Sequence, residues 1–377
     1  MNIKINKKDD IVLKILHYFI TEEDYKPVII NGLENEIWLE NMEKDLKLIR
    51  INNNYIHNNE QLKTDTFRAQ TIMKSIKKNT FSFNMNMLNL LVDTGESVNI
   101  IETKNMETIK VNKINDFKNN KIVSEFFPKV NSAVLDSKMD PVEFFKLTED
   151  MNEKTIKNER KLAKIFSPKK PVATYVLIVI NVLVYIMQLI YGDSIVYLFA
   201  NNKLLVANGG FLRLITSMFL HANVVHLFCN MYALLMIGPQ VERYYGKFKY
   251  LLIYFISGVI GSLFSAAFMA ENVYSLGASG AIFGLLGSIT YFTYYYRATL
   301  QGLLRSQVVP TIAVNLFISL MIPGIDLLAH IGGLIGGILT SMAIGIGDKN
   351  RRADEINGAL VLIIIAIFMV YLIIKGF

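Results

Sequence analysis

The second half of the chain is dominated by long apolar runs that are separated by short polar segments. Crossing the hydrocarbon core of a bilayer takes about 20 helical residues, and the pattern predicts about seven such spans. The predicted spans cover residues 172–191, 222–241, 248–269, 277–296, 307–322, 327–346 and 358–374. The sequence therefore predicts a polytopic α-helical membrane protein in this region.

The first part of the chain has shorter apolar segments that alternate with polar ones. Residues 11–20 favour a short helix, although a buried strand would also fit their length. Residues 61–78 have apolar side chains on one face of a helix. Strands are predicted at Val28–Ile30, Glu36–Glu40, Leu46–Ile51, Met87–Val92 and Val98–Ile101. Together these elements predict a small soluble α/β domain over residues 1–150.

A polar, charged segment separates the two parts. Residues 151–170 include Pro168, and their composition predicts a linker or a helical lead-in. We therefore expect a cytosolic α/β domain over residues 1–150, a linker over residues 151–170 and a membrane domain over residues 171–377.

Basic residues are distributed unevenly among the loops of a chain whose net charge is +7. They precede the first span and then recur in every second loop, at Arg243, Lys247, Lys249, Arg297, Arg305, Lys349, Arg351 and Arg352. Cytoplasmic loops carry an excess of Lys and Arg. The pattern predicts a multi-pass protein of the plasma membrane, with a cytoplasmic N-terminus and the C-terminus outside. Topology thus explains the basic excess better than nucleic-acid binding does.

Composition narrows the possible chemistry. The single cysteine, Cys229, excludes an intrachain disulfide framework and a cysteine-based metal cluster. No His-Glu-x-x-His motif is present, so we expect no metal and no cofactor. Glu34, Glu36 and Glu40 could bind a divalent cation, but a solvated strand face is the better interpretation because charged residues are usually exposed.

Ser279 lies within the most distinctive apolar stretch, Leu276-Gly277-Ala278-Ser279-Gly280-Ala281-Ile282-Phe283-Gly284. Small residues let neighbouring helices approach closely, so a tightly packed membrane helix with an incidental serine would explain this stretch alone. The same glycines would also let a substrate reach the hydroxyl.

The positions of the histidines favour the second interpretation. Of five histidines, His221 and His226 lie at the start of span two, and His330 lies at the start of span six. Ser279 starts span four. Even-numbered spans all enter from the outer side, so these residues should share a similar depth. Polar and ionisable groups inside a membrane are costly and are functional candidates.

These residue types support acyl transfer. A serine hydroxyl becomes a nucleophile when a base accepts its proton, and His330 is a suitable base. Gly333 and Gly337 lie near the face of His330 and permit a close helix approach. Phe283 lies one turn after Ser279 and could pack against the imidazole.

Acyl transfer also needs donors for the developing oxyanion. His226 and Asn230 are four residues apart, on one helix face, and the backbone N–H of Ser279 is a third candidate. Each of these residues taken singly could equally form an interhelical hydrogen bond. Their combination at one depth favours a site. His221 lies about 140° from His226 around a helix, so a structural hydrogen bond is the better interpretation for it.

The combined motifs closely resemble those of the rhomboid family of intramembrane serine proteases. Its motifs are matched by His221-x4-His226-x3-Asn230, Gly277-Ala278-Ser279-Gly280, Ala329-His330-x2-Gly333-x3-Gly337 and Gly238-x3-Glu242-x3-Gly246. Arg213 matches a family position in the first long loop, although Leu212 stands where the family often has Trp. The resemblance covers residues 171–377.

The resemblance implies a six-helix catalytic core, here with a seventh helix added, as in a bacterial member with a cytosolic domain. It implies a Ser279–His330 dyad without an acidic third member, and His226 and Asn230 as oxyanion stabilisers. Substrates would be transmembrane or juxtamembrane segments of membrane proteins, which enter near span five and are cut close to the outer face. Residues 1–150 could bind a cytosolic partner or ligand.

Two other functions stay open from the sequence. A catalytically silent rhomboid-like protein would bind membrane clients without cutting them, but the presence of both Ser279 and His330 disfavours it. A small transporter would need an intramembrane acidic pathway, and no pair of aspartates lies within the predicted spans.

Overall fold

The structure is a computed structural model that describes residues 6–30, 32–133, 135, 140–167, 170–300, 302–346 and 352–376. The chain divides into two compact units, Met1–Leu162 and Ala163–Phe377. Each unit is described by itself. The predicted loop residues Lys349 and Arg351 lie outside the described residues.

The first unit contains a five-stranded sheet in the order β1-β2-β3-β4-β5. Its strands are β1 (Lys26–Val28), β2 (Glu36–Glu40), β3 (Leu46–Asn52), β4 (Asn86–Leu91) and β5 (Met106–Lys110). The first three strands are antiparallel, and β3, β4 and β5 are parallel. Its helices are α1 (Lys7–His17), α2 (Asn59–Asn79), α3 (Ile114–Lys118), α4 (Lys121–Phe126) and α5 (Pro141–Phe166).

Most of the predicted elements of this unit are confirmed. The strand Glu36–Glu40 has the predicted bounds, and the other central strands and α2 agree to within two residues. The first strand ends at Val28 and not at Ile30. The α/β class follows from α2, which crosses from β3 to the parallel strand β4 as parallel pairing requires.

One predicted strand is wrong. Val98–Ile101 is irregular, and the last strand is Met106–Lys110 instead. Val98 is apolar because it is buried in a small cluster with Ile56, Leu62 and Leu91, and it does not pair with a neighbouring strand. The apolar residues of β5, Met106 and Ile109, are three positions apart and its burial does not alternate, so no strand pattern marks it.

The interpretation of the β2 carboxylates as a solvated face is also wrong. Glu34 is exposed, but the Glu36 side chain is only 1% exposed and forms ion pairs with Arg50 and Arg68. Arg50 is itself fully buried and makes a bidentate pair with Asp65 at 2.7 and 2.6 Å. Burial by itself lowers the pKa of Arg50, but Asp65 and Glu36 raise it above its ordinary value. Buried charges of this kind must be paired to be tolerated.

The polar segment predicted to follow residue 150 is helical over most of its length. Helix α5 runs through residues 141–166 and so covers most of the predicted linker, 151–170. Of the two alternatives for this segment, the described residues thus agree with the helical lead-in.

The regular elements of the second unit, in its described residues, are helices, apart from one isolated β-bridge between Asn201 and Ser275. Its short helices are α7 (Asp193–Phe199), α8 (Lys203–Ala207) and α9 (Arg213–Thr216). Its long helices are α6 (Val172–Tyr191), α10 (Val224–Tyr245), α11 (Lys247–Phe268), α12 (Ser279–Tyr295), α13 (Val309–Met321), α14 (Leu327–Ile344) and α15 (Arg352–Lys375). A π-helical turn, Leu304–Val308, leads into α13.

Within the part of the chain that the structure describes, six helical segments are long and apolar enough to cross a membrane: α6, α10, α11, α13 with its π-helical lead-in, α14 and α15. Helix α12, the remaining predicted span, has only 17 residues. Every residue from Gly280 to Ile289 is buried, so α12 forms the interior of the bundle.

Glycines set the packing of α12 against its neighbours. A Cβ atom on Gly333 would overlap the carbonyl oxygen of Gly280, and one on Gly337 would overlap that of Gly284. The backbones of α12 and α14 are therefore in direct contact. This arrangement confirms the close helix approach predicted from the small residues.

Candidate active site

Ser279 is the first residue of α12 and is half-buried. The N–H groups of the first turn of a helix have no partner within the helix, and no side chain caps α12 at its first residue. The positive end of the helix dipole therefore lies at the serine hydroxyl. Gly277, two residues earlier, has φ of +131°, a conformation that favours glycine.

The loop before Ser279 is bonded to two other segments. The Gly277 N–H donates to the Ser217 carbonyl at 2.9 Å. Ser275 and Asn201 exchange backbone hydrogen bonds of 2.8 and 3.0 Å. Because backbone groups make these bonds, they position the nucleophile's loop independently of its side chains.

His226 and Asn230 of α10 face this loop. A Cβ atom on Gly277 would lie 2.9 Å from His226 Nε2 and 3.6 Å from Asn230 Nδ2. The backbone N–H of Ala222 donates to His226 Nδ1 at 3.4 Å, which puts the neutral ring's proton on Nε2. Asn230 Nδ2 is buried and has no protein partner in the described structure. Two side-chain donors thus converge beside Gly277.

His330 lies in the first turn of α14 and is 5% exposed. Its ring stacks on Phe283, with centroids 4.1 Å apart and an interplanar angle of 13°. Nδ1 lies 2.7 Å from the hydroxyl of Ser319 on α13. Nε2 is buried and has no hydrogen-bond partner among the described residues.

The helices of Ser279 and His330 meet beside these two residues. Gly280 follows Ser279, and a Cβ atom there would lie 3.4 Å from the carbonyl oxygen of Ala329, the residue before His330. Within the described residues, no hydrogen bond joins Ser279 to His330. Catalytic hydrogen bonds are often long without substrate and shorten when it binds.

His221 lies before α10 and not on it, because Asn223 caps this helix by accepting from the His226 N–H at 2.9 Å. The side chain of Gln188 on α6 makes two hydrogen bonds to the His221 backbone. Its Oε1 accepts from the His221 N–H at 2.9 Å, and its Nε2 donates to the His221 carbonyl at 3.1 Å. The His221 ring packs edge-on against His226 at 5.2 Å. This contact is ring packing, and the supporting role of His221 stays a prediction.

Arg213 and Glu242 lie in anchoring positions. Arg213 Nη1 donates to the carbonyls of Tyr197 and Ala200 at 2.8 and 3.0 Å, which ties the loop helices together. The buried Glu242 carboxylate accepts from the N–H groups of Ala173 and Thr174 at 2.9 and 2.8 Å. It thus caps α6 from a different helix, where a negative charge also complements the dipole.

The chain is similar to known proteins of one family. A family model described as the Rhomboid domain matches residues 208–346. Rhomboid protease AarA of Providencia stuartii is 31% identical over 257 residues, which are 60% of this chain and 90% of that protein. The chain belongs to the rhomboid family.

Two further relatives come from Bacillus subtilis (strain 168). Rhomboid protease GluP is 35% identical over 214 residues, or 55% of this chain. The chain spans only 42% of the length of GluP. Putative rhomboid protease YdcA is 38% identical over 148 residues, which are 39% of this chain and 73% of that protein.

The rhomboid match contains every candidate site residue. They are Arg213, His221, His226, Asn230, Glu242, Gly277, Ser279, Gly280, Phe283, His330, Gly333 and Gly337. Family membership and the apolar helices together make this chain a multi-pass membrane protein.

Three polar residues of the second unit were not identified as site residues from the sequence. Gln188 and Ser319 are single polar positions within apolar runs, with no pattern to distinguish them. Asp326 accepts from the Ala329 N–H at 2.9 Å and from the hydroxyls of Ser265 and Ser275 at 2.6 Å each. An acidic residue just before an apolar run is a helix N-cap signal, so this residue could have been found.

Proposed function

We propose that this chain is an intramembrane serine endopeptidase in which Ser279 is the nucleophile and His330 the general base. The observation that carries the proposal is a convergence of three helices. The donors of α10 lie beside Gly277, Ser279 begins α12, and the imidazole of α14 stacks on Phe283, one turn after Ser279.

In the first step, His330 Nε2 accepts the proton of the Ser279 hydroxyl while Oγ attacks the scissile carbonyl carbon. The negative charge that develops on the substrate oxygen is stabilised by the Ser279 N–H, by His226 Nε2–H and by Asn230 Nδ2. The positive end of the α12 dipole adds to this stabilisation.

The tetrahedral intermediate then collapses. Protonated His330 donates its proton to the leaving amine, the peptide C–N bond breaks, and an ester to Ser279 Oγ remains. Water, deprotonated by His330, attacks that ester and releases the second product and the free serine. In this mechanism the imidazole moves one proton in each half-reaction, without an acidic third residue.

The substrates we propose are transmembrane or juxtamembrane segments of membrane proteins, cut near the outer face. Proteolysis is supported by the names of two relatives, the rhomboid proteases GluP and AarA. Substrate access is supported by the half-buried position of Ser279, which leaves part of the residue accessible while the His330 ring is buried.

The cleavage experiment uses the full chain reconstituted with a transmembrane substrate whose helix is locally destabilised. Ser279→Ala and His330→Ala should each abolish cleavage, because each removes a group that the chemical steps require. Ser288→Ala is the matched control: its buried hydroxyl lies on the same helix and donates only to the Leu285 carbonyl at 2.7 Å. Cleavage by Ser279→Ala at the wild-type rate would overturn the proposal.

We also propose that the N-terminus is cytoplasmic and the C-terminus outside, in the plasma membrane. The basic loops support this orientation under the positive-inside rule. The chain's single cysteine makes the test direct, because Cys229→Ser gives a cysteine-free background. A cysteine introduced at residue 376 should react with a membrane-impermeant maleimide on intact cells, and one at residue 10 should not. The reverse labelling would contradict the orientation.

A further inference from the structure

Ser319 is the only buried residue of α13, all of whose residues are described. The rest of that helix contributes exposed or half-buried side chains, such as Phe317 at 62% and Leu320 at 67% exposed. The one position at which α13 enters the protein interior is therefore a serine, and its hydroxyl lies 2.7 Å from His330 Nδ1.

The same hydroxyl has a second partner. Ser319 Oγ lies 2.7 Å from the carbonyl oxygen of Asn315, one turn earlier on α13. A serine hydroxyl has one proton to donate and lone pairs with which to accept, whereas a carbonyl oxygen can only accept. Both bonds form together when Ser319 donates to Asn315 and accepts from Nδ1–H of His330.

We propose that Ser319 is a positioning residue that keeps neutral His330 in the Nδ1–H tautomer, with the lone pair on Nε2. This proposal rests on the proposed function, because a lone pair on Nε2 is what a base toward Ser279 requires. The unpartnered Nε2 is the atom left available for that task. Phe283 restrains the plane of the ring, and Ser319 restrains its rotation within that plane.

A carboxylate does not take this orienting position, although Asp326 lies one turn before His330. Both of its oxygens are used elsewhere: Oδ1 accepts from the Ala329 N–H, and Oδ2 accepts from Ser265 and Ser275. Asp326 thus caps α14, and among the described residues it makes no bond to the His330 ring. The orienting partner is therefore a neutral hydroxyl.

The experiment measures the tautomer and the rate separately, on the full chain in lipid bilayers. The ¹⁵N signals of the His330 ring, assigned by their loss in His330→Ala, report which nitrogen carries the proton. The wild type should show Nδ1–H, Ser319→Ala should shift the ring toward Nε2–H, and Ser319→Thr should keep the wild-type tautomer. The wild-type spectrum needs no variant, so it decides the tautomer even where Ser319→Ala does not fold.

Kinetics supply the second readout. Ser319→Ala should lower kcat about 3- to 10-fold, the rate equivalent of one neutral hydrogen bond, with KM unchanged. Ser319→Thr should restore kcat because threonine retains a hydroxyl that can bond the preceding turn. Ser288→Ala, which removes an equally buried hydroxyl, should leave kcat at the wild-type value.

Two results would overturn the inference. One is Nε2–H in the wild type, and the other is an unchanged tautomer and kcat in Ser319→Ala. Either can occur while Ser279→Ala is inactive, and then only this inference fails. Full cleavage by Ser279→Ala would instead overturn the proposed function, and the wild-type tautomer would still be decided by its spectrum.

Discussion

The rings of Phe283 and His330 lie nearly parallel, 4.1 Å apart, although they belong to different helices. Such a contact is worth about 0.5–1.5 kcal/mol beyond the area it buries. Phe283→Leu keeps an apolar side chain but removes the flat ring, so we expect kcat to fall about 2- to 10-fold through looser placement of the imidazole.

The matched control for this prediction is Phe292→Leu. Phe292 is a fully buried ring on the same helix that stacks on Tyr244, also at 4.1 Å, and not on the site. Its replacement should lower stability but leave kcat unchanged. Equal kcat values for the wild type and Phe283→Leu would show that the stack does not position His330.

Gly333 and Gly280 face each other across α12 and α14 and should respond differently to alanine. A methyl group at Gly333 would collide with the Gly280 carbonyl and separate the helices. Overpacking of this kind costs about 1–3 kcal/mol. We expect a lower melting temperature for Gly333→Ala in detergent, even though alanine is the better helix former.

The control is Gly280→Ala, whose methyl group would meet its nearest neighbour, the Ala329 oxygen, at an ordinary 3.4 Å. This variant should melt close to the wild type. Similar losses at both positions would contradict the backbone contact on which the α12–α14 packing depends.

Glu242 should control the stability of the first turn of α6. Glu242→Gln removes the negative charge and replaces one of the two carboxylate oxygens that accept from the N–H groups of Ala173 and Thr174. One buried N–H group then lacks an acceptor, which costs about 1–3 kcal/mol of stability. Hydrogen exchange of those two amides should become faster. Glu271→Gln, at an exposed position, is the control and should not change it. Unchanged exchange in Glu242→Gln would rule out the capping role.

The first unit should lose stability in alkali through two buried tyrosines. The Tyr18 hydroxyl donates to Glu23 at 2.9 Å, and that of Tyr25 donates to the Leu46 carbonyl. Burial raises the pKa of both phenols, and Glu23 adds to the effect. In the unfolded chain a tyrosine ionises near pH 10, so the folded state binds more protons than the unfolded state above that pH.

Stability should therefore be unaffected by these groups below about pH 10 and fall as the pH rises further, by up to about 1.4 kcal/mol per pH unit for each tyrosine. Urea unfolding of the full chain, followed by the fluorescence of Trp38, reports on this unit because Trp38 is the only tryptophan and is buried. Tyr25→Phe should have a shallower slope. Parallel slopes for the two proteins would contradict the assignment.

Much of the second unit could be predicted from the sequence, because its helices and their close packing depend on neighbouring residues of the chain. Apolar length predicted the long helices, and the four-residue spacing of His226 and Asn230 predicted that they share one helix face. The glycines near His330 predicted the close approach of α14 to α12. Each of these predictions needed only the length of an apolar run, the helical spacing of two residues or the small size of a side chain.

What escaped prediction depends on long-range contacts or on a helix boundary. Ser319 meets His330 only because α13 packs against α14, and nothing in its apolar surroundings marks it. The place of His221 depends on Asn223 starting the helix two residues later than expected. Val98 is apolar because it is buried, and burial alone does not specify a strand.

The central claim is that His330 activates Ser279, and covalent labelling tests it most directly. The full chain in lipid bilayers is treated with a fluorophosphonate, digested and analysed by mass spectrometry. The account predicts an adduct on Ser279 that forms about 10²-fold or more slowly in His330→Ala, the range expected for loss of a general base. An unmodified Ser279, or labelling at the same rate without the imidazole, would contradict it.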